Sequence, residues 1–126
     1  MGFTHVPMVV TNIVDRDRRE ELALLIDSGA VYSVVPATVL QRLGITPERE
    51  EEFLLVDGTP LARRVGIAGF EYGGRRAYSN VIFGEVDDQA LLGIVTLEEL
   101  GLMLDPIRRR LLPLHLRLGH LGHAGA

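Results

Sequence analysis

One carboxylate stands apart in this chain of 126 residues. Asp27 follows the apolar run Leu24-Leu25-Ile26 and precedes Ser28-Gly29-Ala30, after which apolar residues resume at Val31 and reach Val34-Val35. The pattern predicts a tight loop between two buried strands, with the acid at its first position. An unpaired charge in such surroundings is costly. An Asp placed there is therefore held by backbone N–H groups, bound to a metal, or kept for chemistry, which for a carboxylate means acid–base work. Much other chemistry is absent from the composition. The chain has no Cys, which removes disulfides, thiolate metal sites and cysteine nucleophiles, and all 13 of its Lys and Arg residues are Arg, which removes Schiff-base lysines and the lysine of a phosphate loop. His115, His120 and His123 follow no compact ligand spacing and have no thiolate to assist them, so neither a metal nor a cofactor is expected.

The chain around that loop has the length of about one domain, here taken as residues 1–126 with a core over about 3–112 and a flexible tail over 117–126. One active-site loop is all it can carry. A net charge of −4 argues against a nucleic-acid partner, and the runs Arg16/Arg18/Arg19 and Arg108-Arg109-Arg110 read as solvated turns. No apolar run approaches the roughly 18 residues of a membrane span, and no basic start precedes an apolar core. No membrane partner is expected, and the expected compartment is the cytoplasm.

The elements that would position Asp27 read as mostly β. Phe3 to Val14 is rich in β-branched residues, Asp15 to Arg19 is a charged break, and apolar residues return at Leu22, so a β-hairpin is predicted whose second strand delivers Asp27. Val31 to Val35 is a short strand. Pro36 suits the first position of a helix to about Leu43, with Gly44 as its stop. Glu48 to Glu52 reads as an acidic surface connection. Phe53 to Val56 then meets Asp57-Gly58, a hairpin signal, and a long strand runs from Thr59 to about Tyr72. Gly73-Gly74 turns the chain into a strand from Arg75 to Phe83. Ala90 to Val95 reads as a strand feeding a short helix, with Thr96 and Glu99 as a capping box and Gly101 as the stop. Leu102 to Leu112 reads as a closing hairpin. Met8, Tyr32 and Phe53 are expected to fill core or interface.

Asp27-Ser28-Gly29-Ala30 resembles the D-[ST]-G-[AS] loop of the retropepsin-like aspartic proteases, and Leu91-Leu92-Gly93 resembles the apolar-apolar-Gly signature that follows the flap in that family. The order of the two motifs, with a hairpin about 30 residues after the Asp, fits the family pattern, and departures from the retroviral members make single-domain members of the bacterial or cellular type the better comparison. The resemblance implies a closed β-barrel of hairpins with a flap hairpin and one or two short helices. It also implies an aspartic endopeptidase that acts on polypeptide as a homodimer, with Asp27 from each chain forming one dyad. Ser28 would then bond across the dimer, while Gly29 and Ala30 would keep the loop tight against substrate. Val31, Val56 and Leu91 would line an apolar subsite, with Asp57 and Gly58 at the flap tip. The Gly93 position would let its strand pass close beneath the loop.

Two departures from retroviral members are visible. Those carry an acid just after D-T-G-A and an Arg after the apolar-apolar-Gly, which pair with each other; here the positions hold Val31 and Ile94. Loss of both partners together strands no charge. Asp57 also makes the hairpin tip less glycine-rich. Two other readings fit the sequence: a retropepsin-like binding or dimerisation module without proteolysis, and an unrelated all-β domain with a chance Asp-Ser-Gly.

Overall fold

The computed structural model describes residues 3–114. His115, His120, His123 and the tail 117–126 lie outside the described residues. In chain order the elements are β1 (His5–Thr11), β2 (Arg19–Ile26), β3 (Ser33–Pro36), α1 (Ala37–Arg42), β4 (Arg49–Leu54), β5 (Pro60–Tyr72), β6 (Arg75–Gly84), β7 (Leu91–Leu92), α2 (Ile94–Glu99), β8 (Leu102–Asp105) and β9 (Arg110–Pro113).

Alternation writes the sheet. In β1 the residues Val6, Met8 and Val10 point inward and are buried, and β2 answers with Leu24 and Ile26. The two strands pair antiparallel from His5 opposite Leu25 to Thr11 opposite Arg19. Asn12 shapes the start of the connection by accepting the N–H groups of Val14 and Asp15 on its side-chain oxygen at 2.8 and 3.0 Å. The longest hairpin, β5–β6, turns at Gly73 and Gly74, whose φ angles of 55° and 81° favour glycine. The sheet runs β1-β2-β7-β3-β6-β5-β4, and a further pairing of β1 with β5 brings it back on itself. The mostly-β fold expected from the sequence is therefore present, but it is not a clean closed barrel: β4 is an outer strand on β5, and β8 and β9 pair in a separate sheet. Phe70, Phe83, Met8, Leu24, Leu40, Leu92 and Leu97 are fully buried at its centre. Each such side chain stabilises the fold by about 1.5–3 kcal/mol relative to an exposed one.

Four local expectations are corrected. Glu50, Glu51 and Glu52 belong to β4 rather than to a surface connection, because an outer strand tolerates charge and because Glu50 and Glu51 stand opposite Arg64 and Arg63. Pro36 ends β3 and caps α1 from outside, so the helix begins at Ala37. The strand expected over Ala90 to Val95 is only Leu91–Leu92, since Gly93 already caps α2. Thr96 is no N-cap either: it lies buried within α2, and the helix has no side-chain cap. The stops at Gly44 and Gly101 are as expected, with φ angles of 73° and 69°. No helix among the described residues is long and apolar enough to cross a membrane.

Candidate active site

Asp27 sits where β2 ends. Its N–H donates to the Leu92 carbonyl at 3.0 Å, extending the parallel β2–β7 pairing by one step, and its own carbonyl accepts the Ala30 N–H at 3.1 Å to close the turn. The side chain is half-buried rather than fully enclosed. Its Oδ1 accepts the Gly29 N–H at 3.0 Å, so of the outcomes open to such an acid, a backbone donor is present. Ser28 and Gly29 are exposed, and Ser28 faces an apolar hollow shared with Ile94, Leu97, Leu102 and Leu104.

The loop is braced from below by the start of α2. The Ala30 and Val31 carbonyls accept the N–H groups of Ile94 and Val95 at 2.8 and 3.1 Å, satisfying donors that the first turn of a helix leaves unpaired. This docking requires Gly93. A Cβ there would lie 2.6 to 2.7 Å from the Tyr32 and Val31 backbone, a distance that no ordinary contact tolerates. The close approach that the resemblance implies for this glycine is thus present in the fold.

A buried hydroxyl chain, not foreseen in the sequence, ties the same parts together. Ser33 Oγ accepts the Gly93 N–H at 2.9 Å and lies 2.6 Å from Thr96 Oγ1, which lies 3.0 Å from Ser79 Oγ. One side chain each from β3, α2 and β6 thereby fixes the floor of the loop. Ser33→Ala removes the acceptor of Gly93 and one partner of Thr96, so it is expected to cost about 1–3 kcal/mol in chemical denaturation. Ser33→Thr, which keeps the hydroxyl, is expected to cost less; equal losses would make volume, not hydrogen bonding, the cause.

Beside the loop runs a cleft of about 420 Å³. Gly29, Ala30, Val31 and Leu91 line it, so four of the residues singled out in the sequence are brought together there. Tyr32 and Phe53 meet edge to face across it, with ring centroids 6.3 Å apart and planes at 83°. They belong to the cleft rather than to the core, whereas Met8 is core as expected. Leu61 and Ile82 add apolar wall. On the rim, Arg63 on β5 holds Asp88 with two bonds, Nε to Oδ2 at 2.7 Å and Nη2 to Oδ1 at 2.9 Å. The guanidinium keeps the Asp88 carboxyl below its usual range, against the opposing effect of burial.

Val56, Asp57 and Gly58 are not brought into the cleft. They form the tip of the β4–β5 hairpin, where the Gly58 N–H donates to the Leu55 carbonyl at 2.8 Å and Gly58 has a φ of 87°. Asp57 is spent on the turn. Its Oδ1 accepts the Thr59 N–H at 2.9 Å, and bonds from Thr59 lower its pKa. The tip carries exposed apolar surface, with Leu54 at 72% and Val56 entirely in solvent. Alternation along β5 was the available signal for Leu61 and Arg63; nothing local marks Ser33, Thr96, Ser79 or Asp88.

Among solved structures, the chain is similar to the EIAV protease in complex with the inhibitor HBY-793, at 19% identity and a TM-score of 0.62, covering 82% of this chain and 93% of that one. It is also similar to the simian foamy virus (mac) protease, at 20% identity and a TM-score of 0.50, covering 74% of this chain and 92% of that one. At these identities the likeness carries the fold, which is retropepsin-like. No curated protein matches the sequence. The aspartyl protease family model (Asp_protease_2) matches residues 6–96, a span that includes the Asp27 loop, the β4–β5 hairpin and the Gly93 crossing, and the chain belongs to the aspartyl protease family.

Proposed function

We propose that the chain is an aspartic endopeptidase that works as a homodimer, with the Asp27 carboxylates of two copies forming its catalytic dyad. The observation that carries this reading is the position of Asp27: it follows a strand in a loop braced by α2, and Gly29 and Ala30 of that loop line a largely apolar cleft. One chain supplies one such carboxylate. A twofold axis is the usual way to duplicate it.

In this mechanism the two carboxylates share a single proton, because like charges at contact distance cannot both ionise. The ionised one removes a proton from a water molecule as its oxygen attacks the peptide carbonyl. The protonated one donates to the carbonyl oxygen as it becomes the tetrahedral oxyanion. Collapse of that intermediate breaks the C–N bond and transfers a proton to the leaving amine, with no acyl-enzyme. Gly29 and Ala30 keep the loop low enough for backbone contact with substrate, and Val31 and Leu91 receive an apolar side chain next to the cut bond. The β4–β5 hairpin acts as the flap, its exposed tip of Leu54, Val56, Asp57 and Gly58 closing over substrate; the apolar surface it leaves in solvent supports this role.

Ser28 is assigned the bond across the dimer. Ser28→Ala is expected to weaken dimerisation and activity together, by about 1–3 kcal/mol for a lost buried partner, and Ser28→Thr to be tolerated. Unchanged sedimentation and cleavage in Ser28→Ala would remove that assignment.

The Arg63–Asp88 pair tethers the flap strand to the wall of the cleft. Because the folded-state pKa of Asp88 is depressed, the tether contributes fully above the ordinary aspartate value of 3.8 and is lost as pH falls through the lower folded value. KM is therefore expected to rise at the acid end of the wild-type profile. Asp88→Asn is expected to raise KM at every pH and flatten that rise, with kcat less affected; an unaltered KM profile would separate the pair from flap closure.

The reading as a whole is tested by incubating the protein with an unfolded polypeptide from acid to neutral pH and following fragments by mass. Cleavage with a bell-shaped pH profile on the acid side is expected. A stable dimer that cleaves nothing at any pH would make the chain a binding module instead.

A further inference from the structure

At the turn between β5 and β6, three guanidinium groups pair with one carboxylate and a fourth arginine lies beside them. Arg16 and Arg19 come from the β1–β2 connection, Arg75 and Arg76 follow the Gly73-Gly74 turn, and Glu71 stands opposite Arg76 in the β5–β6 register. Together they line a cavity of about 210 Å³. Glu71 accepts hydrogen bonds from two of them: Arg16 donates from Nε at 3.0 Å to Oε2, and Arg19 donates from Nη2 at 2.8 Å to Oε1. Arg75 is engaged elsewhere, its Nη1 donating to the Leu100 carbonyl at 3.1 Å and to the Gly101 carbonyl at 3.2 Å.

Arg76 is the anomaly. Its Nε forms an ion pair with Glu71 Oε2 at 3.6 Å, too long for a hydrogen bond, and its buried Nε and Nη2 have no hydrogen-bond acceptor. The guanidinium is also held against the Tyr78 ring, with Cζ 4.8 Å from its centroid, so it is fixed in place. Buried N–H groups without an acceptor are costly even where the charge itself is paired. Four positive charges against one negative leave the lining of the cavity at about +3.

We propose that this cavity is an anion site for a phosphate group, either free or carried as a phosphomonoester. A phosphate supplies up to two negative charges and several strong acceptors, which match the surplus positive charge of the cavity's lining. Planar guanidinium forks are well suited to hold it. Arg16, with a side chain 56% exposed, forms the outer wall and can turn from Glu71 onto the incoming group. The site is separate from the proposed dyad. Arg19 and Ile26 are the two ends of β2, which at about 3.3 Å per residue puts roughly 23 Å between the cluster and the Asp27 loop.

The test uses thermal denaturation and calorimetric titration of the intact protein at constant ionic strength, with sodium chloride as reference. Inorganic phosphate, a phosphoserine peptide and the same peptide without phosphate are the probes. Phosphate or the phosphopeptide is expected to raise the midpoint above the chloride reference, as any ligand selective for the folded state does. Comparable affinity for both would identify free phosphate as sufficient; affinity for the phosphopeptide at least about tenfold higher would identify a phosphorylated chain. Arg76→Gln is expected to reduce affinity about tenfold or more, and the exposed Arg16→Gln gives an independent check should Arg76→Gln fold poorly. Glu71→Gln removes the competing negative charge, so it is expected to bind phosphate more tightly although it is itself less stable. A purely structural cluster would show no phosphate effect in any variant. No shift beyond chloride with either phosphate probe, or equal shifts in wild type and both arginine variants, would overturn the proposal.

Discussion

Asp27→Asn is expected to abolish proteolysis while leaving the fold intact. The amide keeps the shape and can still accept the Gly29 N–H, now 3.0 Å from Oδ1, so the turn survives. It can neither carry the negative charge that activates water nor exchange the shared proton, so turnover should fall to background. In the proposed dimer the change would also remove repulsion between two crowded carboxylates, and stability should equal or exceed that of the wild type at neutral pH. Circular dichroism, sedimentation and fragment analysis on the same preparations separate the outcomes. Collapse of the fold would make Asp27 a structural residue, and undiminished cleavage would move the chemistry elsewhere.

Gly93→Ala is expected to do the reverse, damaging structure first. A Cβ at this position meets backbone atoms of Val31 and Tyr32 at 2.6 to 2.7 Å, and backbone on both sides leaves no flexible side chain to yield. Overpacking of this kind costs about 1–3 kcal/mol, at the upper end where main chain must move. Relief of the clash has to lift the loop off α2 and stretch the bonds from Ile94 and Val95 to Ala30 and Val31. Activity should therefore fall further than the loss of folded protein explains. A variant as stable and as active as the wild type would mean that the crossing is looser than 2.6 Å implies.

What could be read from the sequence was what local pattern encodes. An acid between two apolar runs marked the Asp27 turn and paired glycines marked the β5–β6 hairpin, whereas the crossing at Gly93 was implied by the resemblance of Leu91-Leu92-Gly93 to the family signature and not by the local pattern alone. Features that depend on distant residues stayed hidden. Thr96 followed by Glu99 matches a capping box over four residues, but Thr96 instead bonds Ser33, 63 positions earlier. A string of glutamates looks like a loop until the arginines opposite it on β5 are known. Tyr32 and Phe53 look like filling by type, and only their meeting across the cleft shows them as its walls. The Asp88 tether and the arginine cluster arise from pairings between separate hairpins, which no spacing along one strand reveals.

The central claim, that two chains each give one Asp27 to a single dyad, is tested most directly by mixing. Wild type and Asp27→Asn are combined in equal amounts, allowed to exchange partners, and assayed at constant total protein. If both carboxylates are required, only wild-type pairs cleave, and activity should drop to about a quarter of the unmixed wild-type value. A fall to about a half, linear in the wild-type fraction, would show each chain working alone and would contradict the account.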